Sequence, residues 1–280
     1  RASVRLIYAI CGFTAFTASA VTGPLSDTVG PRPLAAGGMV LVSLGLLTSA
    51  TAQSMMEVYL CYGLLVGLGI GFAYVPAVAA VQRWFVAGRG LASGIAAAGI
   101  GFGTALVPPM AGGLALLGDW RVAFLVSGLL AALVGLGGAM LLASSPESRG
   151  LTPDGQGPAA RPAPMAGARL EGPELKAVLR MRGYWLLYAG TLLVSVPVSL
   201  PFAHLAHSAE AAGLAATDAL SLLSLLGIAS IAGRFLLGAL ADEVGRDVTF
   251  LACCTGVAAL TLLWAAAASP VAMTVFAIGF

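Results

Sequence analysis

Charge is what this sequence has least of. Its 280 residues include only 14 basic and 12 acidic side chains, which is 9% of the chain, against about 25% in globular proteins. A chain so poor in charge cannot cover a water-facing surface, and its apolar fraction of 59% indicates a surface that faces lipid. The formal net charge of +2 gives no reason to expect a nucleic-acid partner.

Groups that perform chemistry are also scarce. The sequence contains neither the HExxH pattern of zinc hydrolases nor the GxxxxGK[ST] loop of nucleotide-binding proteins. Its four cysteines lie inside apolar runs without metal-ligand spacing: Cys11, Cys61, Cys253 and Cys254. We therefore predict no catalytic residue, no metal site and no cofactor. A membrane-embedded hydrolase built on Ser93 and His204 is the remote alternative.

Long apolar runs take the place of charge. Because about 20 mainly apolar residues cross the hydrocarbon core, we predict spans at 4–22, 33–52, 57–80, 90–116, 122–144, 184–206, 217–239 and 248–267, and a ninth that begins near Val271. The fold class is therefore an all-α membrane protein, a polytopic helical bundle of about eight spans and a partial ninth. Residues 1–20 also imitate a signal peptide, but their run continues into a second span.

One long polar stretch interrupts the apolar runs. Residues 145–183 are rich in Pro, Gly and charge, which predicts a flexible linker. The end of this stretch has helical periodicity and is expected to lie on the membrane surface before Tyr184 and Trp185 enter the interface. The predicted domains are an N-terminal bundle at 1–144, the linker, and a C-terminal bundle at 184–280.

Two short polar islands share the pattern Gly-x-Leu-x-Asp-x-Val-Gly: GPLSDTVGPR from Gly23 and GALADEVGRD from Gly238. Internal duplication of this kind is common in secondary transporters. Ten basic residues fall on the side of the islands and three on the other; the ten are Arg32, Arg83, Arg89, Arg149, Arg161, Arg169, Lys176, Arg180, Arg182 and Arg246. The positive-inside rule then places both islands and the linker in the cytoplasm.

The islands resemble the signature of the major facilitator superfamily, which lies between its second and third helices and, in weaker form, between its eighth and ninth. The resemblance implies two pseudo-symmetric bundles, here incomplete, because the runs match helices two to nine and the start of ten; the chain is expected to be a fragment. It also implies a cytoplasmic conformational latch at Gly23, Asp27, Gly30, Arg32, Gly238, Asp242, Gly245 and Arg246. Two ordinary Gly/Asp turns are the alternative. Pro31 and Asp247 depart from the family's more basic pattern.

Three further stretches resemble the monocarboxylate porter and oxalate/formate antiporter branches in their bacterial form: RWFVAGRGLASGIAAAGIGFG from Arg83, GDWR from Gly118, and the region from His204 to Arg246. This resemblance implies a multi-pass protein of the bacterial inner membrane. It implies a secondary transporter that moves small organic anions, monocarboxylates or dicarboxylates, by alternating access, with protons or a counter-anion as coupling partner. A drug or sugar transporter on the same fold is the alternative.

Arg234 is the one formal charge well inside a predicted span. A guanidinium there costs about 2.5–3.5 kcal/mol, and its planar fork matches a carboxylate. The resemblance implies that Arg234 binds the carboxylate of the substrate; snorkelling to the headgroups or a structural pair is the alternative. Some relatives carry an Asp where this chain has Ser230, so coupling by an Asp–Arg pair is not expected. Tyr74 and His204 are further candidates for substrate contact, and His204 for proton transfer.

Glycines recur at every fourth residue in two neighbouring spans, first at Gly63, Gly67 and Gly71 and then at Gly99 and Gly103. Rows of small residues let the backbones of membrane helices approach closely. We therefore predict close helix crossings on these faces, either as plain packing or as part of the rocking motion.

Overall fold

The computed structural model describes residues 2–117, 119–146, 149–155, 175–266 and 269–280. These residues are mainly helical, and eight of their helices are long and apolar enough to cross a membrane; the helix Pro270–Gly279 is apolar but shorter. The predicted all-α bundle of eight spans and a shorter ninth is thereby confirmed. About half of the predicted linker, residues 156–174, lies outside the described residues.

The long helices agree with the predicted spans to within a few residues at most ends. In chain order the helices are α1 (Ala2–Val29), α2 (Pro31–Thr51), α3 (Met55–Trp84), α4 (Arg89–Leu117), α5 (Trp120–Leu141), α6 (Leu175–Val178), α7 (Arg182–Ala211), α8 (Ala216–Val244), α9 (Arg246–Ala266) and α10 (Pro270–Gly279). Two of them contain π-helical segments, α3 at Tyr59–Val66 and α5 at Ala131–Gly135.

The two polar islands are helix ends rather than loops. Helix α1 continues through most of the first island to Val29, and α8 continues through the second to Val244. Each helix ends at a glycine with the same unusual backbone, Gly30 at φ 93 and ψ 156 and Gly245 at φ 106 and ψ 145. Only glycine adopts this region readily. The repeated Gly is therefore the residue that stops one helix and lets the next begin immediately after it.

Side chains accept hydrogen bonds from amides at the starts of α3 and α5. At α3, Ser54 Oγ accepts a hydrogen bond from Glu57 N (3.3 Å), and Glu57 Oε2 accepts one from Gln53 N (2.9 Å). This is a variant of the capping box in which Glu57 bonds the amide one residue before the N-cap, and it stabilises the helix start. At α5, Asp119 Oδ1 accepts a hydrogen bond from Arg121 N (3.2 Å).

The chain forms two compact units, the first from 1–96 and 110–169 and the second from 97–109 and 170–280. In the first unit, α3 packs against α1 and α2, and α2 packs against α5. Two buried hydroxyls tie these helices together: Thr22 Oγ1 donates to Gly71 O (3.0 Å), and Ser43 Oγ donates to Gly128 O (2.9 Å). Because water cannot replace these bonds in the bilayer, they hold the helix pairs in register.

The core of the second unit lies where α7, α8, α9 and α10 meet. Its largest fully buried side chains are Leu205 of α7, Leu226 of α8, and Met273 and Phe276 of α10, all exposed by 1% or less. Trp264 of α9 completes the cluster with its ring 4.9 Å from that of Phe276. Large apolar side chains therefore hold this unit together.

The glycine row of α3 lies where α1 crosses it. A Cβ atom added at Gly63, Gly67 or Gly71 would stand 2.8, 2.7 or 2.6 Å from an atom of α1, which leaves no space for a side chain.

The prediction for α4 needs a correction, because Gly99 and Gly103 have open space around them in the described part of the chain. The close approach on α4 is instead at Gly101, where an added Cβ would lie 2.8 Å from the carbonyl oxygen of Gly227 on α8. Two residues turn an α-helix by about 200°, so the contact face is nearly opposite to the predicted one.

Candidate functional site

Arg234 lies on α8, partly buried. Its Nε donates a hydrogen bond to Ser230 Oγ at 3.1 Å, one helical turn earlier. The two ion pairs found among the described residues, Arg83–Asp27 and Arg121–Asp119, do not include it. The guanidinium therefore carries a positive charge inside a membrane-spanning helix without a carboxylate from the described residues beside it.

The side chain of Arg234 points away from the island end of α8. Ser230 is 14 residues before the end of the helix at Val244, or about 21 Å along the axis. A snorkelling arginine would extend towards Val244 and the nearer headgroups, whereas the bond to Ser230 draws Nε deeper into the span. This geometry favours a group that faces a bound ligand over one that reaches for the lipid surface.

His204 lines a cavity of about 550 Å³ in the second unit, between α7, α9 and α10. Ser208, Thr261 and Trp264 are the other polar lining residues. Arg234 does not line this cavity. His204 lies 22 residues into α7, or about 33 Å from its start, and Arg234 lies about 15 Å from the end of α8. Along the helix axes the two groups are about 18 Å apart in depth, so the structure does not bring them into one site.

Tyr74, the third candidate for substrate contact, is 45% exposed on α3 of the first unit. Its role in substrate contact stays a prediction.

The first island carries an ion pair that the sequence analysis did not predict. Asp27 Oδ1 accepts a hydrogen bond from Arg83 Nη2 at 2.7 Å. Arg83 lies in the last turn of α3, so the pair joins the island ends of α1 and α3. Its partners are 21% and 56% exposed, and a pair at that exposure contributes about 0–1 kcal/mol to stability. An interaction this weak can form and break at little cost in free energy.

The other latch candidates occupy the ends of the helices that carry the islands. Arg32 and Arg246 are exposed in the first turns of α2 and α9, and Asp242 is exposed in the last turn of α8. Gly23 has open space beside it among the described residues, and Gly238 is partly buried on α8. The latch role of all eight positions stays a prediction.

Asp154 is a second residue that the sequence analysis missed. Its two carboxylate oxygens accept hydrogen bonds from the backbone amides of Val86 and Ala87, each at 3.0 Å. Its own backbone has a φ of 61, a conformation that Asp tolerates better than most residues. The beginning of the predicted linker is therefore fastened to the turn between α3 and α4. The only local signal was the Pro-Asp-Gly turn pattern.

The predicted GDWR motif lies in part outside the described residues, because Gly118 is not among them. Within its remainder, Arg121 donates to Asp119 Oδ2 (3.2 Å) and to Ala52 O (2.9 Å), and its guanidinium carbon lies 4.5 Å from the centre of the Trp120 ring. All of these contacts lie inside the first unit, so the motif ties the start of α5 to the end of α2.

Comparison with known proteins gives a consistent result. The sequence model of the Major Facilitator Superfamily matches residues 1–280. The chain is 36% identical to monocarboxylate transporter 14 of Mus musculus over 141 residues, which are 50% of this chain and 28% of that protein. It is 31% identical to monocarboxylate transporter 11 of Homo sapiens over 229 residues, which are 81% of this chain and 45% of that protein. It is 30% identical to monocarboxylate transporter 13 of Bos taurus over 235 residues, which are 83% of this chain and 51% of that protein. The chain therefore spans about half the length of these curated relatives, or less.

Proposed function

The chain belongs to the major facilitator superfamily of transporters, and from this premise we propose that the protein is a secondary transporter of small organic anions. Its substrate carboxylate binds to Arg234 on α8. The two bundles expose this site alternately to the two sides of the membrane. The resemblance to the monocarboxylate branch, predicted from the sequence, is confirmed by the relatives; these are animal proteins, so the bacterial inner membrane stays a prediction.

The observation that supports the proposal is that the charge of the Arg234 guanidinium is not paired with a carboxylate of the described residues. It is partly buried in a span and donates to a neutral hydroxyl. Its Nε is occupied, and its two terminal nitrogens make no hydrogen bond or ion pair within the described residues. A carboxylate that accepts two parallel N–H bonds from these nitrogens would neutralise the charge and fill the fork.

A small organic acid suits this site better than a drug or a sugar. A neutral sugar would leave the charge of Arg234 uncompensated in a medium of low dielectric constant, which is costly. The relatives are named monocarboxylate transporters, in agreement with a carboxylate as the recognised group.

The coupling partner that this arrangement favours is a counter-anion. With a carboxylate bound, the charge of Arg234 is neutralised, and the protein can close around the site and change its conformation. Without one, the free guanidinium must be desolvated alone, which slows the return of the empty carrier. His204 is about 18 Å from Arg234 in depth, too far to exchange a proton with its ligand directly.

Transport by the full-length protein in liposomes tests the proposal. We expect labelled lactate, pyruvate, oxalate or formate to enter faster when the lumen holds an unlabelled carboxylate. Glucose in the lumen should have no effect. Absence of uptake for every carboxylate, in protein that is folded in the membrane, would refute the proposed function. Uptake driven by a proton gradient into empty liposomes would refute only the choice of counter-anion.

A further inference from the structure

The start of α7 is exposed over more than two helical turns. Every residue from 179 to 189 is exposed, and the side chains include three aromatics, Tyr184 (36%), Trp185 (51%) and Tyr188 (52%). Side chains of this size are normally covered, either by protein or by lipid. A surface with this pattern needs an occupant.

The three aromatic rings form one pre-built cluster. The Tyr184 and Trp185 ring centres are 5.5 Å apart, Trp185 and Tyr188 are 5.8 Å apart, and Tyr184 and Tyr188 stack at 6.3 Å. The indole Nε1 of Trp185 donates to Leu179 O at 2.8 Å, which fastens the segment before α7 onto its first turn. The cluster is thus held in place before any partner binds.

Two arginines flank the cluster on the side away from the span. Arg180 and Arg182 are both exposed, and neither belongs to an ion pair in the part of the chain that the structure describes. Arg121 is also next to a tryptophan, yet it pairs with Asp119 and covers the Trp120 ring. The charge of Arg121 is therefore satisfied within the chain, whereas Arg180 and Arg182 present theirs outwards.

The exposed side chains follow the layers of one membrane leaflet. The arginines come first, the aromatic rings next, and then the aliphatic side chains of Leu186, Leu187, Leu192 and Leu193, which are 57–74% exposed. Phosphate groups, the ester region and acyl chains follow one another in the same order. We propose that the start of α7 is a binding site for an anionic phospholipid of the cytoplasmic leaflet, with its phosphate at Arg180 and Arg182 and its upper acyl chain on the aromatic cluster.

The ligand of this site must be negatively charged and must lie at the headgroup level of the leaflet. Basic residues near a membrane surface attract anionic lipids with about fivefold gain in binding for each residue, and the gain falls as salt screens the charges. A zwitterionic lipid would gain the apolar contacts but little of this electrostatic term. Selectivity for the headgroup charge, rather than lipid contact alone, is therefore the property to measure.

Fluorescence quenching of Trp185 in nanodiscs of the full-length protein makes that measurement. The signal of Trp185 is the difference between the natural protein and a Trp185→Phe variant. The probes are phosphatidylglycerol and phosphatidylcholine that carry bromine on the upper acyl chain. We expect half-maximal quenching at a 10- to 30-fold lower fraction of brominated phosphatidylglycerol, and a smaller difference at high salt.

Substitution of the arginines separates charge from structure. The double variant Arg180→Gln/Arg182→Gln should lose most of the selectivity, and Arg180→Lys/Arg182→Lys should keep it. Arg149→Gln, which removes an exposed charge elsewhere on the same predicted side, should leave it unchanged. Equal quenching by both lipids in the natural protein would overturn the proposal. Absence of quenching by either would overturn it too, because protein would then cover the cluster.

Discussion

Arg83 and Arg234 both lie on membrane-spanning helices that end at the predicted cytoplasmic side, but their surroundings differ. Arg83 ends α3 and reaches Asp27 at 2.7 Å, so its charge is neutralised within the first unit. Arg234 lies further inside its helix, and among the described residues its side chain bonds to the hydroxyl of Ser230, at 3.1 Å, and to no carboxylate. This difference in pairing indicates two different roles for the two arginines. An arginine with its own carboxylate can link two helices, whereas one without a carboxylate is available to an anionic ligand.

The largest expected effect is at Arg234. We predict that Arg234→Gln lowers carboxylate uptake by about 100-fold or more, because it removes a charge-assisted, two-pronged hydrogen bond that is worth about 1.5–3 kcal/mol for each contact. Arg234→Lys should retain part of the activity, since it keeps the charge and loses the fork. The measurement is counterflow in liposomes at matched protein density. Normal uptake by Arg234→Gln would remove the distinction between the two arginines.

Substitution of the glycine that ends each island should destabilise the protein by the same amount, because the two glycines share one backbone conformation. Gly30→Ala and Gly245→Ala each force a side chain into a conformation with φ near 100, at a cost of about 1–3 kcal/mol. Thermal unfolding in detergent measures the loss. Gly99→Ala is the matched control, because Gly99 is helical with open space beside it, and it should be neutral or slightly stabilising. A loss at only one island would show that the repeat does not share one backbone role.

Ser230→Ala tests whether the hydroxyl positions Arg234. The substitution removes one hydrogen bond to the guanidinium, and we expect the affinity for the carboxylate to fall by roughly two- to tenfold, in line with about 0.5–1.5 kcal/mol for such a bond. Uptake at saturating substrate should change little. Ser224→Ala on the same helix, whose hydroxyl bonds to Leu220 O, serves as control. An unchanged affinity would mean that Arg234 holds its position without Ser230.

The smallest expected effect is at Asp27. Asp27→Asn should slow turnover by up to about fivefold and leave substrate affinity unchanged, because the exposed pair with Arg83 contributes at most about 1 kcal/mol and lies outside the binding site. The exchanged pair Asp27→Arg/Arg83→Asp should recover part of the rate. The readout is the maximal rate against the half-saturation constant. Turnover equal to that of the natural protein would exclude a latch role for this pair.

Much of the fold could be predicted from composition and hydropathy alone, because the bilayer demands apolar helices of a given length. The need for Gly at the same place in both islands could also be predicted, since Gly30 and Gly245 adopt a backbone conformation that other residues avoid. The helical conformation of the rest of each island could not be predicted. Polar residues at a membrane surface satisfy a helix as well as a loop, and only the glycine marks where the helix ends.

The candidate site could be predicted only in part. Arg234 stands out because a lone charge in an apolar run is costly. The partner of Asp27 could not be predicted, because Arg83 is 56 residues away and one of several basic residues on that side. The crossing at Gly101 was missed for a similar reason, since the spacing of glycines does not reveal which face meets α8.

The affinity of the purified full-length protein for a carboxylate and for its neutral amide tests the central claim most directly. Lactate and lactamide have nearly the same shape, but only lactate carries the negative charge to which Arg234 is proposed to bind. Calorimetry should show at least tenfold tighter binding of lactate to the natural protein, and Arg234→Gln should bind the two about equally. Preference for lactate that survives Arg234→Gln would contradict the proposed role of this arginine.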